Sequence, residues 1–173
     1  MNHRHDRQQR AGAAWTLLIA LAAPAADAAG SHSGGDADTA IGEPGQAERV
    51  TRTVRIDMTD AMLFSPPRVT ARRGQTIRFI VSNSGKLKHE LVLGTRKDLR
   101  DHAELMKKFP EMEHAEPNMV TLAPGQTGEV IWRFTRTGQI DFACLQPGHY
   151  DAGMKGFVKV ANSPPGPRGD PKP

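Results

Sequence analysis

Cysteine is nearly absent from this sequence. Cys144 stands alone among 173 residues, so no internal disulfide can form. Aromatic residues are sparse too: one tyrosine, two tryptophans and six phenylalanines. No charge of one sign dominates, since 23 Lys and Arg face 19 Asp and Glu along the chain. A scattered charge of +4 without a basic-aromatic run excludes a nucleic-acid-binding surface of the usual kind. Long apolar runs are missing as well. The best, Ala11–Ala23, has roughly a dozen residues against the ~20 needed to span a bilayer.

That short run has the marks of an export signal. Arg4, Arg7 and Arg10 precede it, and Ala26-Asp27-Ala28 follows with the small residues of a cleavage site. Residues 1–28 are therefore expected to be a cleaved signal peptide, delivering a protein with no membrane span to the periplasm. Their removal lowers Lys and Arg from 23 to 20 and Asp and Glu from 19 to 17, a net charge near +3. Residues 29–48, rich in Gly, Ala, Ser and Asp, read as a flexible leader. Residues 162–173 carry five prolines and read as a disordered tail. One domain is expected over 49–161, within the size a single core supports.

Inside it, apolar residues alternate in short runs: Val54, Ile56 and Met58; Ile77, Phe79 and Val81; Leu91 and Leu93; Val130, Trp132 and Phe134; Ile140 and Phe142; Val158 and Val160. Turn pairs such as Ser84-Gly85, Pro124-Gly125 and Thr137-Gly138 separate them. The pattern predicts an all-β sandwich. Asp98–Phe109 departs from it. Leu99, His102, Ala103, Met106 and Phe109 recur at helical spacing before Pro110, so a short inserted helix is expected there, followed by an acidic loop over Glu111–Asn118.

An exported chain usually spends cysteines in pairs. A solitary thiol is intermolecular, incidental or occupied, and a metal is one occupant. Cys144-Leu-Gln-Pro-Gly-His149-Tyr-Asp-Ala-Gly-Met154 sets a thiolate, an imidazole and a thioether on one loop. This soft, mixed donor set suits copper in both oxidation states. Pro147-Gly148 supplies the bend that turns His149 back toward Cys144. A fourth donor must come from elsewhere, and His89 heads an alternating strand. Two imidazoles and a thiolate with a weak axial thioether make the blue-copper arrangement. Each residue alone has a plainer reading: Cys144 as a small buried hydrophobe, Met154 as core, His89 as structural. Their joint spacing favours ligation.

The motif Phe142-x-Cys144-x4-His149-x4-Met154-x-Gly156, with Phe64-Ser-Pro66, Gly74, Asn83 and His89, resembles the cupredoxins over about 50–160. The resemblance implies a Greek-key sandwich with a mononuclear type 1 copper site at His89, Cys144, His149 and Met154. Lys88–Gly94 and Phe142–Tyr150 are similar to small periplasmic cupredoxins of copper tolerance, the CopI-like group. Glu90 departs from plastocyanin-like members, which often carry Asn there to tie the two ligand loops together.

Two functions fit: copper tolerance and handling, which is favoured, and one-electron transport between periplasmic partners. For transport, His149 would be the exit, ringed by Leu145, Pro147, Tyr150 and Met154. Met106, Met112, His114 and Met119, with His102 one helical turn before Met106, form a softer cluster that could take auxiliary Cu(I). Plain packing is the competing reading. His32 in the leader is a weak further donor. The expectation is a monomer that is not an enzyme: a binuclear centre needs two bridging cysteines, and no hydrolytic motif is present.

Overall fold

In the computed structural model, residues 40–110, 112 and 115–162 are described. The expected signal peptide, residues 29–39 of the expected leader and residues 163–173 of the expected tail lie outside them.

Among the described residues, ten strands form two five-stranded sheets. The first contains β1 (Glu43–Pro44), β2 (Arg52–Thr59), β3 (Leu63–Ser65), β5 (Thr76–Asn83) and β8 (Thr127–Arg133), in the order β1-β8-β5-β2-β3. The second contains β4 (Arg68–Arg72), β6 (His89–Gly94), β7 (Met119–Leu122), β9 (Gly138–Ala143) and β10 (Lys155–Ala161), in the order β4-β10-β9-β6-β7. β2 runs parallel to β5, and β4 to β10. The other pairs are antiparallel. The expected all-β sandwich is the fold observed.

Alternation explains the layering, because successive side chains point to opposite faces. Val54, Ile56 and Met58 of β2 and Ile77, Phe79 and Val81 of β5 join Leu91, Leu93, Phe142, Val158 and Val160 of the other sheet in one apolar core. Phe64 meets Phe142 edge to face, with centroids 5.0 Å apart. β6 is buried along its whole length, since α1 (Arg96–Lys108) covers its outer face. Leu99, Ala103 and Met106 of α1 pack on Val92, Ala143 and Leu145. The helix starts two residues earlier than its apolar periodicity suggested, because the Thr95 hydroxyl caps it by accepting the Asp98 N–H at 3.2 Å. Phe109, expected on the packed face, is the C-cap and 54% exposed.

The folded unit also begins before residue 49. Ile41 is buried, and its carbonyl accepts the Trp132 indole N–H at 2.9 Å. Glu43–Pro44 pairs with β8. A buried indole needs an acceptor, and backbone pairing of so short a segment leaves no hydrophobic pattern to read.

Candidate metal centre

One end of the sandwich gathers the candidate ligands from two places. His89 is the first residue of β6, and β6 pairs with β9 so that Val92 lies opposite Ala143. Cys144 follows immediately on β9. Cys144 donates its N–H to the Met154 carbonyl at 3.1 Å, and Met154 donates its own to the His149 carbonyl at 3.1 Å. The loop is thus closed by backbone bonds between the three residues that carry its candidate donors. Gly148 at φ +85° and Gly153 at φ +97° take the left-handed turns this path needs.

Cys144 Sγ lies 3.3 Å from His149 Nδ1 and 4.0 Å from His89 Nδ1. The three donor atoms lie within 4.8 Å of one another. Among the described residues, no other group of His, Cys, Asp or Glu donors converges in this way. The two imidazole centroids are 4.9 Å apart. His89, Cys144 and Met154 are fully buried, while His149 is half-buried. The side chains of Met154 and Cys144 belong to the same apolar cluster.

Burial pushes the Cys144 thiol up to about 12, against an ordinary value of 9.0, and the nearby Glu90 carboxylate adds to the rise. Backbone N–H groups of Glu90, 3.4 Å from Sγ, and of Gln146 work in the opposite sense. His149 is shifted below 6.5, first by desolvation and then by the neighbouring His89. Without a cation this pocket therefore favours a neutral thiol beside a neutral imidazole.

The match with a family model for copper-binding proteins of the plastocyanin/azurin type runs over residues 50–161, most of the described chain. The chain belongs to the plastocyanin/azurin family of copper-binding proteins. This cupredoxin is 50% identical over 132 residues to the copper-resistant cuproprotein CopI of Rubrivivax gelatinosus, covering 76% of the chain and 79% of that relative. It is 33% identical over 153 residues to CopI of Pseudomonas aeruginosa, covering 70% and 82% respectively. Auracyanin B superposes with a TM-score of 0.57 at 22% identity, over 69% of this chain and 96% of that one. An auracyanin from Roseiflexus castenholzii does so at 0.56 and 22%, over 65% and 98%. These two likenesses are of fold.

The donor set fits copper. A cysteine sulfur that becomes a thiolate on losing its proton, two imidazole nitrogens facing it and a buried thioether on the same loop as the cysteine are a donor set that suits a soft, redox-active cation. The cupredoxin binds copper.

Around the candidate donors, Glu90 follows His89 directly and is buried. Its carboxylate accepts from Leu145 N–H at 3.0 Å, Gln146 Nε2 at 3.1 Å and Thr121 Oγ1 at 3.2 Å. Asn83, buried, donates to the Leu87 carbonyl at 2.8 Å and the Leu122 carbonyl at 3.0 Å, holding the loop that leads to His89. Asp60 Oδ1 lies 3.0 Å from His89 Nε2. Nothing in the sequence pointed to Asp60, because 29 residues separate it from its partner.

The expected apolar ring around His149 needs correction. Leu145 and Met154 are 1% and 0% exposed, so they belong to the interior. Packing under α1 takes Leu145, and the core takes Met154. The surface there consists of exposed Pro147 and Gly148 beside half-buried His149 and Tyr150.

Of the softer cluster, Met106, Met112 and Met119 line one cavity of about 300 Å³ together with Glu90, Lys88 and Gln146. His114 lies outside the described residues, as does His32. No helix among the described residues is long and apolar enough to cross a membrane.

Proposed function

We propose that this cupredoxin holds one type 1 copper through His89 Nδ1, His149 Nδ1 and Cys144 Sγ, with the Met154 thioether as a weak axial donor, and serves copper tolerance in the periplasm as a non-enzymatic, redox-active monomer. The observation that carries the reading is the convergence of three donors within 4.8 Å of one another in a buried pocket. The names of the CopI relatives support the tolerance role, and the basic, then apolar, then small-residue pattern of residues 1–28 supports export.

Copper bound there supplies a one-electron couple between Cu(II) and Cu(I). The protein's own part begins with Cys144, which surrenders its proton as the metal enters. His149 is already neutral at pH 7 and offers its Nδ1 lone pair. Burial of His89, Cys144 and Met154 excludes water, and the backbone bonds linking Cys144, Met154 and His149 hold the donors in place. A donor frame fixed in advance changes little between oxidation states.

Met106, Met112 and Met119 extend the reading to a second copper held as Cu(I), since thioethers select that state and the three share one cavity. One-electron transport is the second reading, favoured by half-buried His149 at a surface formed by Pro147 and Gly148.

The test is titration of the mature protein with Cu(II) and, without oxygen, with Cu(I), followed by visible and EPR spectra. One strongly coloured Cu(II) per chain with extra tight Cu(I) binding supports copper handling. One coloured copper and no extra Cu(I) shifts the role to electron transport, and no colour overturns the type 1 assignment.

A further inference from the structure

We propose that Asp60 is a positioning residue for His89, holding the imidazole as its Nε2–H tautomer and biasing the centre toward Cu(II). The proposal rests on the reading of His89 as a copper ligand and goes beyond it.

Asp60 sits in the three-residue turn between β2, which ends at Thr59, and β3, which begins at Leu63. Its Oδ1 lies 3.0 Å from His89 Nε2 and accepts the Leu87 N–H at 3.2 Å. Its Oδ2 accepts the Lys86 N–H at 2.8 Å. A carboxylate of ordinary pKa is ionised at neutral pH, so it only accepts. Nε2 must then carry the hydrogen, and the lone pair falls on Nδ1, the atom that faces Cys144 Sγ at 4.0 Å. His89 is fully buried, whereas the Asp60 side chain is 37% exposed. The contact is a carboxylate at the surface reaching the far side of a buried ring.

The local chain is shaped around this contact. A Cβ on Gly85 would stand 2.2 Å from Asp60 Oδ1 and 2.9 Å from its Cγ, so only glycine lets the 84–88 loop lie against the carboxylate. Nearby Asp57 ties the same loop by different partners: it accepts the hydroxyls of Ser82 at 2.7 Å and Ser84 at 2.5 Å. Asp57 has no contact with His89 among its hydrogen bonds. The two aspartates therefore separate loop anchoring from an effect on the ligand.

A carboxylate on the outer nitrogen of a ligating imidazole fixes its orientation and makes it a stronger base. A more basic donor favours the more highly charged ion, here Cu(II). Removing the carboxylate from such a pair typically costs 10–100-fold in metal affinity. If about tenfold of that falls on Cu(II) alone, a one-electron potential rises by about 59 mV.

The experiment measures reduction potentials of the copper-loaded wild type, Asp60→Asn, Asp60→Ala and Asp57→Asn, and the His89 ring ¹⁵N shifts of the copper-free proteins. Asp60→Asn keeps the shape and an acceptor oxygen but removes the charge. The expected results are a raised potential in both Asp60 variants, an unmoved potential in Asp57→Asn, and loss of the single Nε2–H tautomer in Asp60→Ala. An unchanged potential in a coloured Asp60→Asn protein overturns the bias toward Cu(II). A wild-type His89 protonated on Nδ1 overturns the tautomer assignment, even if the Asp60 variants do not fold. A wild type that takes no coloured copper removes the type 1 reading and the proposal with it, an outcome distinct from the other two.

Discussion

Glu90 Oε1 accepts the backbone N–H of Leu145 at 3.0 Å, joining the residue after His89 to the residue after Cys144. A buried carboxylate thus ties together the two segments that carry the candidate ligands. Glu90→Ala leaves the buried Leu145 N–H without its partner, a cost of about 1–3 kcal/mol. The thermal unfolding midpoint of the copper-free protein should fall by several degrees. Glu90→Gln keeps an acceptor oxygen for that N–H and should lose less. Equal midpoints for the two variants would show that the bond to Leu145 is not what stabilises the loop.

Cys144→Ser should abolish the intense visible band, because that colour needs charge transfer from a thiolate. Met154→Leu should keep copper and raise the reduction potential, since it removes a weak donor that helps stabilise Cu(II). A coloured Ser variant, or an unmoved potential in the Leu variant, would reassign the corresponding ligand.

The raised Cys144 thiol has a thermodynamic signature. Below pH 9.0 folded and unfolded chains both keep the proton. Between 9.0 and about 12 the unfolded chain gives it up while the folded chain holds it. The unfolded state then binds fewer protons, so stability falls as pH rises through that window. In urea melts, copper-free wild type should lose stability more steeply across it than Cys144→Ala does. Parallel pH profiles would mean that the thiol titrates normally in the folded protein.

Copper uptake should also release protons. At pH 7 His149 is already neutral, so one proton per copper, from Cys144, is expected in a weakly buffered titration. Release close to zero would place copper away from the thiol.

Replacing Met106, Met112 and Met119 together by Leu preserves volume and should cost little stability. The expected result is lower Cu(I) stoichiometry, read in anaerobic competition with a chromogenic chelator, while the Cu(II) colour stays. Unaltered stoichiometry would return these residues to packing.

Much of the molecule was legible in the chain itself. Alternation at Val54, Ile56 and Met58 or at Ile77, Phe79 and Val81 marks strands because a sheet with one buried face needs a period of two. The Cys144–Met154 loop was legible because three donors at short spacing, with Pro147 and Gly148 between them, have few other uses. β1, β3, β4 and β7 were not named in advance: segments of two to five residues are too short for periodicity to stand out. The start of the fold at Ile41 was hidden for a similar reason, since one isoleucine in a small-residue stretch carries no pattern.

The candidate donor set, its order along the loop and the two-sheet fold were therefore legible in the sequence alone, because side-chain chemistry and alternation are local properties of the chain. The pairings across it were decided only by tertiary structure. Asp60 meets His89 across 29 residues and Glu90 meets Leu145 across 55. Leu145 turned inward under α1 although its place in the loop suggested the surface. Such contacts depend on which strand ends come together when the sheets close over one core, and no spacing within a single segment encodes that meeting.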